Sequence, residues 1–428
     1  MAQLLLGQTL SFTGNPWQIP VAESAIHERR GGVLVENGII RAVGSRDDLR
    51  AKHPHAKIIN HGDSLIMAGF IDAHAHYSQT AIIASWGKRL IDWLNTYTFP
   101  EETRFADRAY ADQVAETYLD LNLSNGITTA CAYCTIHPES VDAYFQAAQK
   151  RGLRMLGGKV MMDRNAPDGL RDTAQSGYDD SKDLLQKWHG KDRLSYVITP
   201  RFAPTSTETQ LEATGALWAE FPDCLMQTHL SEQSEEIAWV QELFPDQQDY
   251  LAVYEHFGLT GPGAVLGHSI YLSDREWDAI KASGSSLAHC PTSNAFIGSG
   301  LFNAKRSHEM RIPTGLATDV GGGSSFSMLR TMASAYEIGQ LRGDALHPAQ
   351  LLWMATAGSA DALRVGHKIG NLATGREADI VVINLASTPV IEQRVKRAND
   401  FWEQIFPTIM LGDDRAIETV YINGQPIG

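Results

Sequence analysis

The chain has 428 residues, 43% of them hydrophobic and 20% charged, which supplies a large core and excludes a disordered tail or a fibre. Lys and Arg total 36 against 50 Asp and Glu, a formal net charge of −14. That balance argues against a surface tracking a nucleic-acid backbone or anionic lipid, and it suits a small neutral substrate better than a polyanion.

Taken in chain order, the opening Met1-Ala-Gln-Leu-Leu-Leu-Gly7 lacks the basic start and apolar length of a secretion signal. Residues 31–40 then place two apolar runs around Asn37-Gly38, a hairpin signal. Eight strand-like runs follow, at 66–73, 127–132, 154–161, 195–200, 224–228, 264–267, 286–288 and 314–318. Helical patterns such as 109–123, 138–151 and 207–220 lie between them. The alternation predicts a parallel sheet. Eight such units favour a closed barrel over an open doubly wound sheet, and no Gly-x-Gly-x-x-Gly follows the first run. Residues 378–384 read as another strand, and 420–425 end in a second Asn-Gly turn. The expected fold is therefore α/β: a (β/α)8 TIM barrel at 67–375, with a small β-sandwich assembled from the N- and C-terminal segments, 1–66 and 376–428. Four cysteines are too few for a disulfide framework, and no apolar run approaches the roughly 18 residues of a spanning helix. The expectation is a cytoplasmic protein without membrane or nucleic-acid partners.

Such a barrel works at the carboxyl ends of its strands. Here the first run is followed by His74-Ala-His76, the fifth by His229-Leu-Ser-Glu232, the sixth by His268 and the eighth by Asp319. Side chains two apart on a strand point the same way, so His74 and His76 can meet one ion. Neutral imidazoles with a carboxylate, leaving room for water, suit a catalytic divalent metal. The His-x-His spacing alone is weak, since 15 His in 428 residues give about 0.5 such pairs by chance. His53-Pro-His55 has the same spacing in a charged stretch between strands and reads as surface. Position at four separate strand ends is what separates the two. Cys131-Ala-Tyr-Cys134 has metal or redox spacing but no second cysteine pair nearby, and His289 at the end of the seventh run reads as structural. Gly321-Gly-Gly323 lacks the lysine of a phosphate loop and reads as a tight turn near the mouth.

The segment Ala68-Gly-Phe-Ile-Asp-Ala-His-Ala-His76 resembles the signature of the amidohydrolase superfamily, and Asn371-Leu-Ala-Thr-Gly-Arg-Glu-Ala-Asp-Ile380 resembles its return to the terminal β-domain. Further stretches are similar to the branch that deaminates guanine: His76-Tyr-Ser-Gln79, residues 90–100, Val160-Met-Met-Asp-Arg-Asn-Ala-Pro167, Thr199-Pro-Arg-Phe-Ala-Pro-Thr205, Thr228-His-Leu-Ser-Glu232, His289-Cys-Pro-Thr-Ser-Asn294 and Thr318-Asp319. The resemblance implies one zinc ion per subunit, iron in some relatives, held by His74, His76, His229 and Asp319. It implies Glu232, His268 and Asp319 as proton-handling groups. Substrate contacts fall to Gln79, Arg201 and Phe202, together with His229, Glu232, His268 and Asp319. Homodimers are common in the family and are the expectation here. Binuclear branches use a lysine at the end of the fourth strand. Here that strand ends in Thr199-Pro-Arg201, and Lys159 lies within the third run, so one metal is favoured. A deaminase of another purine, a pterin or a triazine remains open on the metal residues alone, and Gln79 with Arg201 is the pairing that would tell them apart. Candidate lids are 85–105 and 234–254.

Overall fold

The computed structural model describes residues 2–86 and 89–427; the first lid candidate includes Gly87 and Lys88, which lie outside the described residues. Four strands open the chain: β1 (Gln3–Phe12), β2 (Ala25–Glu36), β3 (Ile39–Ser45) and β4 (Lys57–Ala68). Nine follow: β5 (Phe70–His76), β6 (Ile127–Tyr133), β7 (Arg154–Gly158), β8 (Val160–Met161), β9 (Ser195–Pro200), β10 (Leu225–Leu230), β11 (Ala264–His268), β12 (Ser286–His289) and β13 (Thr314–Leu316). The last three are β14 (Ile380–Ile383), β15 (Ile417–Ile422) and β16 (Gln425–Ile427).

The terminal segments share one mixed sheet in the order β16-β15-β14-β4-β1-β2-β3. Its strand β1 carries three consecutive leucines, Leu4–Leu6, because both of its faces are covered there. Leu5 packs into a core with Val33, Ile66, Ile380 and Val382, while Leu4 and Leu6 face the opposite way, onto Leu34 and Leu49. Both expected hairpins form. Asn37 and Gly38 take φ of 52° and 76° between β2 and β3, and Asn423 and Gly424 take 53° and 74° between β15 and β16, the left-handed pair that a two-residue turn demands.

The second sheet is the parallel barrel, ordered β5-β6-β7-β9-β10-β11-β12-β13, with β8 as an extra pairing on β9. Parallel registers such as Met226 opposite Ala264 and Leu287 opposite Thr314 align its carboxyl ends. Residues just past β13 close the ring onto β5: Asp319 N donates to His74 O at 2.9 Å, and His76 N to Val320 O at 2.5 Å. Helices Arg108–Ser124, Pro138–Lys150 and Glu208–Glu220 occupy the expected connections. Among the described residues no helix is long and apolar enough to cross a membrane.

The first barrel strand differs from the sequence expectation. The run at 66–73 is the end of one strand and the start of another, and the chain changes sheets at Gly69. A Cβ there would overlap the Thr128 side chain, so only glycine lets the backbone pass. His74 and His76 consequently belong to β5 itself rather than to the loop after it. The third run is likewise divided at Lys159, between β7 and β8.

By internal packing the chain forms two compact units. One comprises the residues up to Asp72, Leu121–Thr129 and those from Phe326 on; the other comprises Ala73–Asp120 and Ala130–Ser325. Every candidate site residue lies in the second.

Candidate metal centre and active site

The carboxyl ends of the barrel strands surround an open cavity, ≈ 400 Å³ of space free of protein atoms with adjoining solvent included. His76, Gln79, Arg201, Phe202, His229, Glu232, His268 and Asp319 line it, with Leu90, Trp93, Leu94, Ile297 and Gly322. His74, fully buried, joins the cluster through Asp319.

One wall is made of imidazoles and a carboxylate. His74 and His76 share a face of β5, and each places Nε2 3.5 Å from Asp319 Oδ1. His76 Nε2 and His229 Nε2 are 3.2 Å apart. His229 donates from Nδ1 to the carbonyl of Arg201 at 2.7 Å, which leaves its Nε2 as a lone pair facing inward. Burial lowers the pKa of all three histidines; for His76 and His229 the neighbouring His74 adds to the effect and takes them well below the ordinary value. Burial pushes Asp319 up, but the hydrogen bond with His74 and the charge on His268 outweigh it and hold its carboxyl at about 2.

Three imidazoles kept neutral by burial thus crowd beside an ionised carboxylate, at separations that a shared proton or a bound cation can bridge. Two overlapping groups of ligand atoms meet at His74, one with His76 and His229 and one with His268, Cys290 and Asp319, and three imidazoles with the Asp319 carboxylate are a donor set that fits a divalent cation. Lys159 plays no part in it: its Nζ is buried against Asp172 Oδ2 at 2.5 Å, an ion pair incompatible with a carbamylated bridge.

Two further titratable groups, Glu232 and His268, stand beside this cluster. Glu232 Oε2 lies 3.5 Å from His268 Nε2, and its Oε1 accepts from Ser299 Oγ at 2.8 Å. Burial raises Glu232, with His268 opposing and Asp319 reinforcing. His268 donates from Nδ1 to Asn294 Oδ1 at 2.9 Å and faces Asp319 Oδ2 at 3.7 Å. Burial lowers His268, yet Glu232 and Asp319 overcome this and raise it. His268 and Asp319 both sit in left-handed backbone, φ 63° and 49°, a strained conformation for side chains that turn out of the barrel wall.

The opposite wall is a satisfied network. Gln79 Nε2 donates to Glu102 Oε1 at 2.8 Å, and Arg201 Nη1 donates to Glu102 Oε2 at 2.7 Å. Gly321 N donates to Gln79 Oε1 at 3.4 Å, and the Arg201 guanidinium lies 5.7 Å from the Phe99 ring centroid. The Gly321-Gly-Gly323 turn fits tightly here, because a Cβ on Gly321 would stand 2.6 Å from Gln79 O.

Sequence reasoning missed Glu102, Asn294 as the partner of His268, Ser299, and Glu236, whose carboxylate accepts from the backbone N–H of Glu232 and Gln233. None stands at a strand end, so position offered no signal. The remaining candidates lie elsewhere. His55 is exposed, and His289 is buried against Phe302 at 4.6 Å. Cys131 and Cys134 are buried thiols, the former donating to Gln227 Oε1 at 3.2 Å. Of the lid candidates, 85–105 contributes Leu90, Trp93 and Leu94 to the cavity, while Trp86 is 80% exposed.

Residues 65–427 match the amidohydrolase family, and 31–56 match an imidazolonepropionase-like composite domain. The guanine deaminase of Escherichia coli is 42% identical over 412 residues, 96% of this chain and 93% of the relative. Its solved structure superposes with a TM-score of 0.97, covering 100% of this chain and 99% of that one. The guanine deaminase of C. acetobutylicum, solved with guanine in its active site, is 28% identical with a TM-score of 0.91 and covers both chains completely. The chain belongs to the amidohydrolase family and, within it, groups with the guanine deaminases.

Proposed function

We propose that this protein hydrolyses guanine to xanthine and ammonia, at a site holding one zinc ion, or iron in its place. The observation that carries the reading is the pairing of two unlike walls on one cavity: a cation-seeking cluster facing a Gln–Glu–Arg network that suits the polar edge of a purine.

His74, His76, His229 and Asp319 would hold the metal. When bound, it would lower the pKa of a water toward neutrality and so supply hydroxide at physiological pH for attack on C2 of guanine. Glu232, whose burial lets it keep a proton to higher pH than an ordinary carboxyl, takes one proton from the water and gives it to ring N3. That transfer avoids an anionic ring. His268, steadied by Asn294, hydrogen-bonds the oxygen adding at C2. Asp319 helps pass the next proton to the departing amine. Gln79 supplies donor and acceptor together, Arg201 supplies donors for O6 and a nearby unprotonated ring nitrogen, and Phe202 packs beside the ring. Leu90, Trp93 and Leu94 keep the ring away from bulk water.

In this reading residues 67–375 carry all the chemistry, and 1–66 with 376–428 form the supporting β-domain. A cytoplasmic homodimer acting in purine catabolism is supported by the family resemblance. The deciding experiment offers the metal-loaded protein guanine, other purines, pterins and cytosine, and scores ammonia release. Guanine is expected to be the preferred substrate. Turnover of another heterocycle with none of guanine would overturn the assignment.

A further inference from the structure

We infer that Glu102 is the specificity-determining positioning residue of this site: its carboxylate fixes which polar atoms Gln79 and Arg201 can present to the substrate. The inference rests on the deamination proposed above. Glu102 is 0% exposed, on the short helix Phe99–Thr103, and each of its oxygens accepts from a different cavity residue.

A glutamine amide can turn over, exchanging its oxygen for its nitrogen, and in isolation Gln79 would recognise either pattern. Beside Glu102 only one orientation is allowed, because the flipped amide would set Oε1 against a carboxylate oxygen. The same flip would set Nε2 against the N–H of Gly321, which now donates to Oε1. Both ends of the amide are therefore locked before any ligand arrives. Arg201 is treated likewise. Its charge is buried at 3% exposure, neutralised by Glu102, and its plane rests near Phe99. With Nη1 committed to Glu102, the remaining N–H groups of the fork are the ones left for a ligand. Glu102 touches no reacting atom; it acts by pre-organising the groups that do, so the ordering cost is met before the substrate binds.

The isosteric E102Q separates this role from simple packing. An amide at position 102 has one acceptor and one donor, yet faces two donors, so Gln79 and Arg201 cannot both be served. With guanine, E102Q is expected to lower kcat/KM by about 10- to 100-fold, mostly through KM, with metal content unchanged. 2-Aminopurine, which carries the same amine at C2 but no O6, should lose far less, so the guanine preference narrows. The double variant Q79E/E102Q exchanges the two groups, so that the amide at position 102 can donate to the carboxylate at position 79 and accept from Arg201. It should melt near the wild-type temperature without regaining the preference for guanine. Equal losses on both purines, or recovery of the guanine preference in the double variant, would reduce Glu102 to a packing residue. Unchanged kinetics in E102Q would remove it altogether. A wild-type protein inert toward guanine sinks the activity assignment and this role with it, whereas an active wild type with an indifferent E102Q sinks Glu102 alone.

Discussion

The two walls of the cavity hold their polar atoms in opposite ways. On one side the Nε2 atoms of His76 and His229 lie 3.2 Å apart, and Asp319 Oδ1 stands 3.5 Å from the Nε2 atoms of His74 and His76. On the other, Gln79, Glu102 and Arg201 meet donor to acceptor at 2.7 and 2.8 Å. The first arrangement has a geometry that a cation completes. The second is complete as it stands. Loss of one group should therefore act differently on the two sides: through metal binding and rate on the first, through substrate affinity on the second.

The largest effect belongs to the metal side. H229A, or prolonged chelation of the wild type, is expected to reduce ammonia release from guanine by at least about 10³-fold, because the activated water is lost. Elemental analysis should show the variant without metal, and zinc should restore the chelated wild type but not H229A. Full activity in a metal-free preparation would break the comparison at its root.

Next comes E232Q, which touches the same wall but leaves the four side chains proposed as ligands in place. Its kcat should fall by about 10²- to 10⁴-fold with metal content preserved. Loss of the metal together with activity would show that Glu232 ligates rather than shuttles.

Arg201 tests the other wall. R201A removes the guanidinium and leaves Glu102 buried without its counter-charge, but keeps the backbone carbonyl that holds His229. Guanine kcat/KM should fall by about 10- to 100-fold with the metal retained. Near-normal turnover would take Arg201 out of recognition.

The smallest effect concerns Glu236, behind the reacting wall. Burial pushes its carboxyl up to about 7, and the neighbouring Glu232 adds to the rise. The folded protein thus holds a proton that the unfolded chain releases near 4.5, so this group's contribution to stability is full at low pH and falls as pH rises from about 4.5 to about 7. E236Q removes that titration. Relative to E236Q, the melting temperature of the wild type should drop by about 2–4 °C between pH 5 and pH 8. An unchanged difference would mean that Glu236 is already ionised at the lower pH.

The same two walls explain what could be read from the sequence. His74, His76, His229, His268 and Asp319 were legible because strand period and strand ends are local properties, and each lies on or just after an apolar run. Gln79, Arg201 and Phe202 were reached only through family resemblance, and the structure places all three on the cavity. Glu102 was invisible. It sits on a short helix after a stretch rich in aromatics, and its meaning depends on partners 23 and 99 residues away. Asn294, on the short helix Pro291–Phe296, and Ser299, just beyond it, likewise reach His268 and Glu232 from positions remote in sequence. Fold legibility failed in the same manner. The run 66–73 looked like one strand because apolar periodicity cannot register a change of sheet, here at Gly69, where Thr128 leaves no room for a side chain.

The order of the terminal sheet has a consequence for biosynthesis. Strand β4 lies between β1, made early, and β14, made late. Roughly 300 residues separate β4 from β14, which at about 5–20 residues per second leaves the Leu65–Ala68 edge unpaired for about 15–60 s on the ribosome. During that interval an apolar ribbon offers its open N–H and C=O groups to any passing strand, a hazard that the finished protein no longer shows.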